Sequence, residues 1–253
     1  MVYLTGDTHA DFLRFTTLCF PEQKEMTKDD VVIILGNFGG IWADCKEERY
    51  WLDWLNSKPF TLCYVDGNHE NHARYYTDEF PVVDFHGGKA HQIRDSIYHL
   101  MRGNVFDFEG RSFFAMGGAS SHDIWDGILD PDDFDTKDEF SAVYRRWCND
   151  GKMFRVKGIS WWPEEIPSQV EFDFAEQTLK NHNYCVDYVI SHCLPQEVAT
   201  MAGFHNIDNL TLWFTKILQD GLKFDHWYCG HYHMNERFMG KFDVLYERIV
   251  RLL

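Results

Sequence analysis

The feature that most constrains this chain is a repeated pairing of a short apolar run with a polar cluster at its end. Val2-Tyr3-Leu4 leads into Gly6-Asp7-Thr8-His9, the run 31–35 into Gly36-Asn37, and the run 61–65 into Asp66-Gly67-Asn68-His69-Glu70. Farther on, 187–190 leads into Ser191-His192 and 224–229 into Gly230-His231-Tyr232-His233. Runs this short, rich in β-branched and aromatic residues and often ended by glycine, read as buried strands with loops at their ends.

Helical patterns lie between them, at 10–20, 46–55, 171–181 and 210–218. In the last, Leu210, Trp213, Phe214 and Ile217 fall at helical spacing. Alternating strands and helices predict a layered α/β fold. The middle, 82–116, differs. Turn signals at Gly87-Gly88, Gly103-Asn104 and Glu109-Gly110 predict short strands in a meander or a second sheet. Residues 124–156 read as an insertion in a single domain. Asp130, Asp132, Asp133 and Asp135 open it with an acidic turn, and a helix is expected over 137–148. Such a run is usually solvated surface; a lid or a partner site is the sharper alternative.

The 253 residues carry a formal net charge of −16. Long nucleic acid calls for a basic stripe, and none is visible, so that partner is disfavoured. A nucleotide is still compatible with an acidic chain, because bound metal ions invert the local potential. The seven cysteines are odd in number and form no Cys-x-x-Cys pair. They are expected to be reduced core residues of a cytoplasmic protein. No apolar run approaches the roughly 18 residues of a membrane span, and no charged-then-apolar leader begins the chain. No membrane partner is expected.

The polar clusters carry the chemistry. In an extended segment Asp7 and His9, two apart, point the same way and can face one cation. Taken alone the pair is weak, and Asp7 could equally cap a helix starting at Ala10. His231 and His233 repeat the spacing with two imidazoles. His192 by itself reads as structural, and Asn68 by itself as a helix cap. Their co-occurrence is what matters, since five strand ends all present nitrogen or oxygen donors. In open α/β sheets ligands collect beyond the carboxyl ends of strands. A mixed carboxylate and imidazole set suits Mn, Fe or Zn better than Ca or Mg. Two such ions can polarise a phosphoryl group and activate water.

The ordered set Gly6-Asp7-x-His9, Gly36-Asn37, Gly67-Asn68-His69-Glu70, His192 and Gly230-His231-x-His233 resembles the calcineurin-like metallophosphoesterase family over nearly the whole chain. Gly117-Gly118-Ala119-x-Ser121-x-Asp123, with Trp161-Trp162-Pro163-Glu164-Glu165, further resembles its small bacterial and prophage members. The resemblance implies a four-layer α-β-β-α sandwich with two mixed sheets. It implies hydrolysis of a phosphoester at a dinuclear centre, with a metal-bound hydroxide attacking phosphorus. Asp7, His9 and His233 would hold one divalent metal ion, Asn68, His192 and His231 the other, and position 37 would bridge them. His69 would steady the transition state or protonate the leaving oxygen. Manganese or iron is the expected metal, with zinc as a further option. The expected substrate is a phosphorylated small molecule, a nucleotide or a phosphoprotein. The form of Gly67-Asn68-His69-Glu70 leans toward protein phosphatases and dinucleotide hydrolases.

Two positions depart from the pattern. The bridging residue is normally Asp, and here it is Asn37. An amide offers one neutral oxygen, and its NH₂ cannot ligate. Two dications about 3.5–4 Å apart repel by about 17–19 kcal/mol at an effective dielectric of about 20. Weaker binding of at least one metal and lower activity are therefore expected. Asn37 is either an inactivating replacement in an intact centre or the native residue of a slow or single-metal enzyme. A non-catalytic binding protein on the same fold is the competing reading. Second, some relatives carry an acidic residue just after the bridging one to orient the catalytic histidine. Phe38-Gly39-Gly40 stands there, so the partner of His69 must come from elsewhere. Trp161-Trp162 and His122-Asp123 remain open between core or structural roles and roles near the site.

Overall fold

A computed structural model describes residues 1–253. The five apolar runs are strands. β1 (Val2–Thr5), β2 (Val31–Leu35) and β3 (Thr61–Val65) lie parallel, and β4 (Val82–Phe85), β5 (Gly88–Arg94) and β6 (Ile97–Leu100) continue the same sheet as a meander. β7 (Asn104–Phe108) and β8 (Arg111–Met116) form a hairpin that opens the second sheet. Residues 124–156 contribute the short pair β9 (Ile128–Leu129) and β10 (Arg155–Val156). β11 (Tyr188–Ser191), β12 (His226–Cys229), β13 (Glu236–Phe238) and β14 (Phe242–Val244) complete the second sheet. β15 (Val250–Arg251) returns to pair with β1. The sheet orders are β15-β1-β2-β3-β6-β5-β4 and β13-β14-β12-β11-β8-β7. Both sheets are mixed, with a parallel centre and antiparallel edges.

The layering follows from the two-residue period of a strand. Val2, Leu4, Val31, Ile33, Leu35, Cys63 and Val65 face one way and meet Phe113, Ala115, Tyr188 and Ile190 of the other sheet. Alternate residues Tyr3, Val32, Ile34, Leu62 and Tyr64 face outward and pack under Leu52 and Leu55. These two belong to helix α1 (Lys46–Asn56). The insertion carries α2 (Lys137–Asn149). On the far side, Phe114, Met116 and Val189 pack against α3 (Gln169–Asn181), α4 (Gln196–Met201) and α5 (Asn209–Gln219). Three apolar layers separate four layers of structure, the α-β-β-α sandwich expected from the sequence.

One expected helix is absent. Over 10–20 only the 3₁₀ turn Leu13–Phe15 forms. His9 and Ala10 have positive φ, and the amides of Thr8, His9 and Ala10 donate to the carbonyls of Asn37 and Phe38. Left-handed backbone at His9 and Ala10 cannot open a right-handed helix, and the apolar spacing of Phe12 and Phe15 serves to plug the core. The cysteines also divide. Cys63, Cys193 and Cys229 are buried, but Cys19, Cys45, Cys148 and Cys185 are exposed and all seven are free. Cys45 caps α1, its sulfur accepting from the amide of Glu48 at 3.4 Å.

Within 124–156, β9 and β10 pair only with each other, and α2 has no buried residue. The acidic start is a 3₁₀ turn, Pro131–Asp133, also without a buried residue. No helix of the chain is long and apolar enough to cross a membrane.

Candidate metal centre

The loops after β1, β2, β3, β11 and β12 lie at the same end of the two sheets, so residues far apart in sequence converge there. Asp7 is buried. Its Oδ1 accepts from the amide of His231 at 2.8 Å, and its Oδ2 lies 3.5 Å from His9 Nε2 and 3.3 Å from His233 Nε2. The two imidazole Nε2 atoms are themselves 3.1 Å apart. One ligand atom from each of Asp7, His9 and His233 falls within 4.8 Å of the others. Lone pairs that converge on one point in this way are matched by a proton or, more fully, by a divalent ion. Burial alone would raise the Asp7 carboxyl, but the His192, His233 and His9 imidazoles and the His231 amide hold it well below the usual carboxylate range. Asp7 caps no helix.

The second set is Asn68, His192 and His231. His192 Nδ1 lies 2.7 Å from the carbonyl of Leu35, which can only accept. That contact places the hydrogen on Nδ1 and leaves the Nε2 lone pair facing Asn68 Oδ1 at 3.3 Å. Burial lowers the pKa of His192. The His231 ring lies alongside, 5.0 Å from that of His192 between centroids. The orientation of Asn68 is set from behind. Ser121 donates its hydroxyl to Glu165 Oε2 at 2.6 Å, so its oxygen accepts from Asn68 Nδ2 at 3.3 Å and turns the amide oxygen inward. Two acceptors aimed at a shared point again fit a cation.

Asn37 lies between Asp7 and Asn68, with an orientation that the sequence does not reveal. Its Nδ2 donates to Asp7 Oδ2 at 3.0 Å and approaches Asn68 Oδ1 at 3.4 Å. Its Oδ1 accepts from the His69 amide at 2.8 Å. The side chain thus points hydrogens at the position where a bridging oxygen would stand. Turning the oxygen inward would cost the bond from His69. On the Asp7 side one carboxylate and two imidazoles converge within 4.8 Å, the fuller donor set for a divalent ion.

Two local features hold this geometry. His9, Asn37, His231 and His233 all have left-handed backbone, with φ of 46°, 50°, 70° and 49°. Such conformations cost roughly 1–2 kcal/mol each in a non-glycine residue and tend to persist where a site requires them. The glycines supply clearance. A Cβ on Gly67 would stand 2.2 Å from Asn37 Oδ1 and 2.5 Å from its backbone nitrogen, and one on Gly36 would stand 2.1 Å from His192 Nδ1. Gly39 is in close contact with backbone, its Cβ position lying 2.7 Å from the nitrogen of Ala10.

The partner of His69 comes from the insertion. Arg155 Nη2 is 3.1 Å from His69 Nε2. Arg155 is paired with Asp123 Oδ2, which takes its Nε–H at 2.9 Å. Burial and the Arg155 charge push His69 down to about 3, so its ring is neutral at physiological pH. Asp123 thereby acts on the site, while the His122 ring stands 5.7 Å from that of His231. Trp162 is buried edge-on to Trp42 and fills the core.

Sequence reading missed the supports. Arg155 sits 86 positions from His69 and has no motif of its own. Glu70, fully buried, accepts from the amides of Phe38 and Gly39 and fixes the loop that carries Asn37. Arg14 donates to the carbonyls of Gly6, Asp7 and Tyr246. Ser121 and Glu165 stood in recognisable motifs, which gave no sign that they touch each other. Beside His231 and His233 a cavity of about 470 Å³ opens, with Trp125, Phe204 and Tyr232 among its walls.

No protein-family model matches this chain, and no curated protein matches it.

Proposed function

We propose that this chain is a metal-dependent phosphoesterase of the calcineurin-like kind, acting on a phosphorylated small molecule, a nucleotide or a phosphoprotein. The observation that carries this reading is the convergence of Asp7, His9 and His233 beside Asn68, His192 and His231, all on loops at the ends of parallel strands. Two divalent ions, manganese or iron before zinc, would supply a Lewis acid and an activated water. Asp7 would give the one carboxylate among the seven candidate ligand residues. Ser121 and Glu165 would keep the Asn68 oxygen aimed inward, and Leu35 would keep His192 in the tautomer that leaves Nε2 free. His69, held neutral by burial and Arg155, would offer a hydrogen bond to the transition state in preference to a proton for the leaving oxygen. The seven free cysteines support a reducing, cytoplasmic setting.

One observation favours a second reading, a binding protein on this fold. The Asn37 NH₂ points at the place of the shared ligand. A screen of phosphomonoesters, diesters and nucleotides with Mn²⁺, run on the native chain and on Asn37→Asp, separates the two. Turnover together with two equivalents of bound metal in Asn37→Asp excludes the binding protein. Neither turnover nor metal in either form overturns the phosphoesterase reading.

A further inference from the structure

Three arginines approach the centre, and they differ in what they have left to give. Arg14 is committed to the carbonyls of Gly6, Asp7 and Tyr246 and to the Thr5 hydroxyl. Arg102 is committed to Asp66, Glu171 and the carbonyl of Glu164. Arg155 is different. Asp123 takes its Nε–H and one Nη2–H, the second Nη2–H faces the His69 ring, and Nη1 has only the Ser160 carbonyl at 3.5 Å. A guanidinium has five N–H donors, so at least one is unspent, and the bond to an imidazole is a weak use of another. Its partner is incomplete as well, since Asp123 Oδ1 is buried without a hydrogen-bond partner.

Arg155 lies on β10, in a two-stranded ribbon that joins neither large sheet. The side chain is nevertheless largely buried, at 18% exposure, and reaches back to the residue next to Asn68. The cation is thus held beside His69, whose ring lies 5.2 Å from that of His9 between centroids. A guanidinium braced by a carboxylate, with an N–H on Nη1 still unspent, can donate a charge-assisted hydrogen bond to a phosphoryl oxygen.

We propose that Arg155, delivered by the 124–156 insertion and braced by Asp123, binds the phosphoryl oxygens of the substrate beside His69. This rests on the phosphoesterase reading for the identity of the ligand, but phosphate binding can be measured without turnover. Asp123 is then a positioning residue, which keeps the guanidinium plane turned toward His69.

The test is calorimetric titration of inorganic phosphate into Mn²⁺-loaded protein, alongside kinetics of the Asn37→Asp background on a phosphomonoester. Arg155→Ala is expected to weaken phosphate binding about 10-fold or more, the size of a lost hydrogen bond to a charged group. Metal stoichiometry stays unchanged. In kinetics KM rises together with a fall in kcat. Arg155→Lys recovers only part of the affinity, because an ammonium cannot fork, and millimolar guanidinium restores part of it to Arg155→Ala. Asp123→Asn gives a smaller loss in the same direction and serves where Arg155→Ala fails to fold. Unchanged phosphate affinity in folded Arg155→Ala overturns the proposal, as does absence of phosphate binding by the native protein. Turnover with no Arg155 effect sinks this inference and leaves the phosphoesterase reading intact. Arg155-dependent phosphate binding without turnover in any form does the reverse.

Discussion

The Asn37 side chain donates to Asp7 Oδ2 at 3.0 Å, joining two candidate metal positions through a hydrogen where a shared anion is expected. Its oxygen is meanwhile held by the His69 amide. Asn37 is therefore a hydrogen-bonded tie across the centre, and its exchange for a carboxylate changes both charge and contact.

Asn37→Asp is expected to raise the number of tightly bound Mn²⁺ ions from about one to two and to raise turnover of a generic phosphoester by ~10²-fold or more, the scale of a single electrostatic group at a reacting centre. Metal analysis after dialysis and steady-state rates check it. Without metal the same variant loses stability, because the new carboxylate faces Asp7 with no cation between them. Equal metal content and equal rates in the two forms would falsify the assignment of position 37.

Gly67→Ala is expected to disrupt the centre from within. Its Cβ would stand 2.2 Å from Asn37 Oδ1 and 2.8 Å from His192 Nε2. Overpacking of this kind costs about 1–3 kcal/mol. A lowered midpoint in urea unfolding and weakened metal binding together report it. An alanine accommodated with native metal affinity would show that the loop after β3 is looser than its contacts indicate.

Ser121→Ala and Glu165→Gln act one shell back. Each removes the reason that Asn68 turns its oxygen inward. Loss of such outer support typically lowers metal affinity about 10- to 100-fold. The fall is expected at one of the two metal positions, with the Asp7, His9 and His233 position unaffected. Competition titration with a chelating dye resolves the two.

Acid sensitivity should arise partly away from the centre. Burial pushes His72 and His91 from the ordinary 6.5 to about 3. Below pH 6.5 the unfolded chain takes up protons that the folded chain refuses, so stability falls as pH drops from about 6.5 toward 3. Above that window these two groups contribute no pH dependence. Asp66 acts lower on the scale. Burial opposes its charge, but Arg102 and His99 hold it well below the usual range, so its contribution is present above the unfolded value and lost as pH falls through the folded one. His91→Phe is expected to flatten the slope of stability against pH by about one proton between pH 6 and 4. Urea midpoints at a series of pH values measure this, and an unchanged slope would remove His91 from the account.

Much of the fold was legible because its signals are local. Runs such as 31–35 are apolar on both faces, and only a central strand between two packed layers satisfies that. The misread segment, 10–20, shows the limit. Phe12 and Phe15 have helical spacing, but contacts with the loop after β2 hold His9 and Ala10 in left-handed backbone, and nothing within the segment announces that. The expectation of core cysteines failed likewise for Cys45 and Cys148, since each is exposed on a helix surface or cap whose orientation is set by partners elsewhere.

The chain by itself determined the strand ends, the donor residues on them and the amide at position 37, because these are properties of residue type and spacing along a few consecutive positions. The tertiary structure alone decided which donors meet, which way Asn37 turns, and that an arginine from a surface insertion fills the place beside His69. Those outcomes depend on contacts between residues 30 to 224 positions apart. Their energies arise only when the two sheets pack and water leaves the space between their loops.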